Sequence, residues 1–263
     1  SRKTGLHNAN IFGDLAVMML ALSVVRFFEE SFMEQIFTFI STIFGTTAIV
    51  LSASRGSWVS LLILFFVFVV ANYSSYIKGN HRRKLGIVLF SIFYVGVISS
   101  QSNVIPKFES AIEKIQDWKS GDRTFSSPGV RMEMWKSGLI AAKEAPIFGY
   151  GYRNANAAAS TYASQNQEMI SKFTHLHNEY ITNLVSAGLV GLCALLLLMF
   201  YPLSVFIKSL TNHEQFHFAL MGVMLCIGYA SFGFTHISFG EEHVNAFYVL
   251  FLSFLLSKMK KKF

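Results

Sequence analysis

Five stretches of this chain, each 20 residues or longer, contain no Lys, Arg, Asp or Glu, and nothing else in it narrows the possible folds so much. They lie between Glu34 and Arg55 (20 residues), Arg55 and Lys78 (22), Lys84 and Lys107 (22), Glu179 and Lys208 (28), and Glu214 and Glu241 (26). A hydrocarbon core about 30 Å thick is crossed by roughly 20 helical residues rising 1.5 Å each. Every one of these stretches is long enough. Two weaker candidates join them: residues 11–27, interrupted by Asp14, and the short run 244–257, with His243 at its edge. The expectation is an all-α polytopic membrane protein with about seven transmembrane helices. Composition agrees, since 52% of the residues are hydrophobic and only 14% charged, against roughly 25% charged in soluble domains.

The net charge of +7 does not point to nucleic acid, because of where it sits. Lys258, Lys260, Lys261 and Lys262 follow the last span, and Lys78, Arg82, Arg83 and Lys84 fall between two others. With Arg26 and Lys208 they load one side, while Arg2, Lys3 and Arg55 occupy the other. The positive-inside rule places the loaded side, and the C-terminus, in the cytoplasm. The opposite face is then extracytoplasmic. Cys193 and Cys226 both fall inside expected spans, without disulfide or thiol–zinc spacing. The first residue is Ser, and the chain is expected to be a fragment of a longer one.

Alternating seven spans from a cytoplasmic C-terminus leaves one long extracytoplasmic loop, about residues 105–177. Three regions follow: spans over 1–104, the loop over 105–177, and further spans with a basic tail over 178–263. A loop this long is usually functional or disordered, and this one carries helix signals. Phe108, Ile112 and Ile115 form one apolar face in "PKFESAIEKIQDWK". A second helix is expected in "SSPGVRMEMWKSGLIAAKEAP", with Ser127 as N-cap, Pro128 at the first position and an end near Ala145.

Three residues stand out by chemistry and place. Arg55, in the short break "LSASRGSW", either snorkels to lipid phosphate or faces an anionic partner. Arg131 lies near the start of the loop helix, where the dipole favours anions. Either it pairs with a carboxylate such as Glu133, or it and the free N–H groups bind an anionic ligand jointly. His177, in "THLHNEYI", is either a structural histidine at a helix end or a general base. In a helical or turned segment His175 would point elsewhere, and Asn178 or Glu179 would be the groups to orient the ring. His213 and His217, spaced i, i+4, lack a third ligand nearby and read as a solvated helix end. Glu241, Glu242 and His243 read as a polar turn.

Taken in order, "SRGSW", "GVRMEMWKSGLIAAKEAPIFGYG" and "HLHNEYITNLVSAGLVGL" resemble the O-antigen ligase family. From "KTGLHNANIFGDLA" onward the resemblance covers nearly the whole chain, and the family's N-terminal spans are expected to lie outside it. The resemblance implies a membrane glycosyltransferase. Its donor would be a polysaccharide on undecaprenyl diphosphate, and its acceptor the lipid A-core at the periplasmic face. By position, Arg55, Arg131 and His177 would be the functional residues, with His175, Asn178 and Glu179 beside them in the substrate site. With no carboxylate cage in the chain, neither metal nor other cofactor is expected, and a single displacement would invert the anomeric configuration. The rivals are an O-antigen polymerase, using a second lipid-linked glycan as acceptor, and a transporter of lipid-linked sugar. The transporter would show charges along several spans or repeated broken helices.

Overall fold

The computed structural model describes residues 8–27, 31–72, 104–121, 126–164 and 166–259. Every regular element among them is a helix: α1 Ala9–Val24, α2 Phe32–Ser52, α3 Arg55–Ala71, α4 Val104–Ser120, α5 Ser127–Glu144, α6 Ala155–Thr161, α7 Gln167–Lys172, α8 Glu179–Ser209, α9 Phe216–Phe232 and α10 Glu242–Ser257. Of the span expected between Lys84 and Lys107, residues 85–103 lie outside the described residues, as do the basic connection 78–84, Arg2, Lys3 and Lys260 to Lys262. α2 and α8, of 21 and 31 residues, are long and apolar enough to cross a membrane. α1, α3, α9 and α10 are apolar helices of 16 or 17 residues.

The chain divides into two compact units. The first holds α1, α2, α3, α9, α10 and α8 from Met199 onward. Here α1 packs on α2 and α3, and α9 packs on α1, α3 and α10. Met18, Ile49, Phe206, Tyr229, Phe232 and Tyr248 are its largest fully buried side chains. Small residues bring the helices close, as lipid-embedded packing requires. A Cβ at Gly228 would stand 2.4 Å from Met18 Sδ, and one at Gly222 2.4 Å from the Phe206 ring. Asp14 does not interrupt α1. It is buried against protein, where Ser57 Oγ–H donates to its carboxylate at 2.7 Å. The break before Arg55 is two residues long. Ala53 is left-handed (φ 52°), and Ser54 caps α3 by accepting from the Ser57 N–H. Cys226 is buried and Cys193 exposed, both as free thiols.

The second unit holds α4 to α7, α8 as far as Leu198, and residues Gly233–Ile237. Its core gathers Val130, Met134 and Ala141 of α5 with Ala155 and Ala159 of α6, Ile170 of α7, Leu176, and Val185 of α8. The N-cap of α5 is Ser126 and not Ser127, a correction of one residue. Ser126 Oγ reaches the Gly129 N–H at 3.2 Å, which leaves Pro128 where its missing N–H has no helical partner to lose. α5 ends at Glu144, as Pro146 demands. The apolar stripe of α4 half-buries Phe108 and Ile115 and leaves Ile112 exposed. The helix packs on α5. There Trp118 Nε1–H donates to the buried Glu133 carboxylate at 3.2 Å, and Glu133 also accepts from the Ser164 N–H and Oγ–H. One carboxylate thereby ties α4, α5 and the loop after α6 together.

α8 is broken at Gly188 (φ 64°, ψ −157°), within "GLVGL". A break frees backbone groups that cost several kcal/mol each if left bare in an apolar setting. The loop "PIFGYG" supplies the partners. Leu189 and Val190 N–H donate to the carbonyls of Pro146 and Ile147, while Tyr150 and Gly151 N–H donate to those of Val185 and Ser186. Two of the sequence motifs are thus the two sides of one junction. Glycine is required on both: a Cβ at Gly188 would lie 2.2 Å from the Ile147 carbonyl oxygen, and one at Gly149 2.5 Å from that of Val185.

Candidate functional site

Residues 173–178, between α7 and α8, are not helical, and His177 takes the left-handed conformation (φ 52°). A side chain there is strained by of order 1–3 kcal/mol and persists only where its surroundings over-determine it. They do. Trp135 Nε1–H, on α5, donates to the Leu176 carbonyl at 3.0 Å, and the Leu176 N–H donates to Thr182 Oγ1 at 3.2 Å. The Leu176 side chain is fully buried over Gly138 of α5, where a Cβ would meet it at 2.8 Å. Asn178 caps α8 by accepting from the Ile181 N–H, and its Nδ2 donates to the Phe234 carbonyl.

This geometry overturns the expectation that His175 points away. The positive φ at His177 turns both rings to one side, edge to face, with centroids 4.4 Å apart. The His177 N–H donates to His175 Nδ1 at 3.2 Å. A second correction concerns the orienting groups. Asn178 serves as a helix cap, while the Glu179 carboxylate accepts from Asn183 Nδ2 and the Glu179 N–H donates to the Gly233 carbonyl. Glu179 is buried.

A third ring joins from far along the chain. His236 packs edge-on to His175, centroids 5.5 Å apart, and is buried. Sequence reasoning passed over it and weighed His243, seven residues later, which lies in the first turn of α10. No spacing signal links position 236 to 175 and 177. His213 likewise precedes α9 and only His217 lies on it, so the i, i+4 spacing does not fall on one helix.

Charge and burial act on the cluster together. Burial, then His175, the Arg131 guanidinium and His236, holds His177 down at about 3. Burial, then His175 and Arg131, lowers His236 to about 4. His175 is also held below the ordinary imidazole range, chiefly by burial and further by Arg131. All three rings are therefore neutral near pH 7. Arg131, five residues into α5, projects its charge onto all of them. Arg55 opens α3 in the other unit.

One ring nitrogen from each of the three histidines lies within 4.8 Å of the other two, the one group among the described residues spaced to hold a metal ion. Its chemistry fits poorly. Nδ1 of His175 faces an N–H donor, so the neutral ring carries its proton on Nε2. A metal-bound imidazole instead donates its second N–H to an oxygen. The neighbouring guanidinium adds repulsion toward any cation.

Comparison with known proteins supplies the remaining finding. The chain is 29% identical over 248 residues to an uncharacterized protein of Haemophilus influenzae (strain Rd), covering 91% of this chain and 61% of that one. Residues 40–196 match the family described as O-antigen ligase (Wzy_C). That match takes in the Arg55 turn, α5 with Arg131, the His175–His177 segment and the broken start of α8, and by it the chain belongs to the O-antigen ligase (Wzy_C) family.

Proposed function

We propose that this protein transfers a polysaccharide from undecaprenyl diphosphate to the lipid A-core at the periplasmic face of the bacterial inner membrane. The observation that carries the reading is His177, a neutral imidazole held in a left-handed turn within the field of Arg131. Family membership supplies the substrate class in general terms, a lipid-linked polysaccharide.

An acceptor hydroxyl oxygen attacks the anomeric carbon of the donor sugar. The bond from that carbon to the diphosphate oxygen breaks, and its electron pair leaves with undecaprenyl diphosphate. The hydroxyl proton passes to His177. Arg131 stabilises the charge growing on the leaving diphosphate, a task suited to the bidentate guanidinium, and Arg55 is assigned to the substrate by its family position alone. One displacement inverts the anomeric configuration. No step calls for a metal, and the tautomer of His175 supports that reading.

A base with a pKa near 3 is weak until its surroundings change. The donor makes that change. Its diphosphate neutralises Arg131, which withdraws one cause of the depression and raises the basicity of His177 once substrate is in place. Purified complete protein, given the host's lipid-linked polysaccharide and polymer-free lipid A-core, tests the reading. Polymer-capped lipid A-core with an inverted linkage by NMR is expected, and a retained linkage would contradict the single displacement.

A further inference from the structure

The segment Gly233–Ile237 lies outside the family match, yet it is clamped to the start of α8 at three points. The Gly233 carbonyl accepts the Glu179 N–H at 2.7 Å, the Phe234 carbonyl accepts from Asn178 Nδ2 at 3.3 Å, and the Phe234 ring packs on Tyr180 with centroids 5.0 Å apart. Clamping of this density fixes the next side chains, Ile237 and His236, both buried. His236 then meets His175 edge to face. A Leu or Phe would fill such a place at lower cost, since burying imidazole requires its polar nitrogens to leave water. The protein instead puts a third titratable ring within 4.8 Å of the other two.

We infer that His236 is a positioning residue for the His177 base, holding His175 and the 175–177 turn in register and opposing protonation of His177 with a third imidazole. This rests on the function proposed above. The groups that face the base are Arg131 from α5, His175 from its own segment and His236 from the 233–237 segment. The Phe173 ring also meets the base edge to face, centroids 5.4 Å apart. Of the ionisable three, Arg131 is neutralised when the donor binds. His175 and His236 are left as the neighbours that still disfavour charge on the base in the loaded enzyme. His236 thereby helps to keep the base open for the acceptor proton.

The experiment compares the complete protein with His236→Phe, His236→Gln and His177→Ala variants, in vesicles supplied with the host's lipid-linked polysaccharide and polymer-free lipid A-core. His236→Phe keeps the aromatic packing and His236→Gln keeps polarity, but neither can take a proton. Both are expected to ligate at alkaline pH within about tenfold of wild type. In both, the acid limb of kcat should move up by ~1 in pH. An acid limb that stays in place in the variants would overturn the proposal. So would loss of both variants from the membrane, which would make His236 a folding residue only. His177→Ala reports on the underlying reading: ligation at the wild-type rate there would remove the base itself, whatever His236 does.

Discussion

The His177 N–H donates to Nδ1 of His175, and that one bond sets the tautomer of the His175 ring. It places the His175 proton on Nε2, and it exists because His177 takes a positive φ that folds its own backbone toward the preceding histidine. A base and its neighbour are thereby locked in one turn by local geometry. Trp135, Thr182 and Gly138 hold that turn from outside.

Arg131 bears on both halves of the chemistry. Replacing it with Ala should lower ligation by roughly 10²–10³-fold, the usual effect of deleting a donor aimed at developing charge. Arg131→Lys should recover little of this, since an ammonium cannot make the planar bidentate contact. Steady-state rates on vesicles check both variants, and near-wild-type turnover in Arg131→Ala would remove Arg131 from the site.

The sign of the pH dependence follows from which form reacts. His177 accepts a proton only when neutral, so activity falls as pH drops through its pKa. In the free enzyme that value is about 3, so kcat/KM should stay level well below the ordinary histidine range. Bound diphosphate cancels the Arg131 charge, so the acid limb of kcat should lie at higher pH than that of kcat/KM. Coincident limbs would show that the donor does not meet Arg131.

The same depression acts on folding. Unfolded histidines take protons near pH 6.5 while the buried cluster does not. Stability contributed by the neutral rings is therefore full above the unfolded pKa, and is lost progressively as pH falls from about 6.5 toward 3. Thermal unfolding in detergent should show a falling Tm over that window, flattened in a His177→Phe, His236→Phe double variant.

Gly188→Ala tests the junction that supports the site. Its φ and ψ belong to a region open to glycine alone, and the new Cβ would strike the Ile147 carbonyl. We expect a loss of about 2–4 kcal/mol, by strain and by displacement of the 146–151 loop. Membrane accumulation and thermal stability measure it. An unchanged Tm would mean the break is not fixed by this contact.

Chelation addresses the histidine cluster directly. EDTA should leave ligation unchanged, because His175 presents a nitrogen that already accepts an N–H. Activity lost to EDTA and restored by zinc or magnesium would make the three histidines a metal site.

Much of this was legible in the residues and some was not, for reasons that can be named. The apolar helices and the α5 boundary at Pro146 follow from charge-free length and from proline geometry, which act locally. The one-residue error at the α5 cap arose because Ser126 and Ser127 are chemically equivalent, and only the reach to Gly129 separates them. The pairing of His175 with His177 needed a left-handed residue that no β-turn signal announces, since histidine rarely adopts it. His236 lay beyond sequence reasoning altogether. Its partner is some 60 positions away, and the clamp that places it runs through backbone carbonyls, which any residue can offer. "GLVGL" and "PIFGYG" were visible as motifs, but that they hydrogen-bond to each other is a fact of the fold.

The central claim is that His177 is the base of a polysaccharide ligation. The most direct measurement removes the gene from its host and returns it as wild type or as His177→Ala, with lipopolysaccharide and lipid-linked glycan analysed separately. The account predicts that His177→Ala reaches the membrane at wild-type levels but leaves long polysaccharide on undecaprenyl diphosphate and the lipid A-core bare. Lipid A-core fully capped by the His177→Ala protein would contradict the base, and lipid A-core capped by a single repeat unit in the deletion strain would make the protein a polymerase instead.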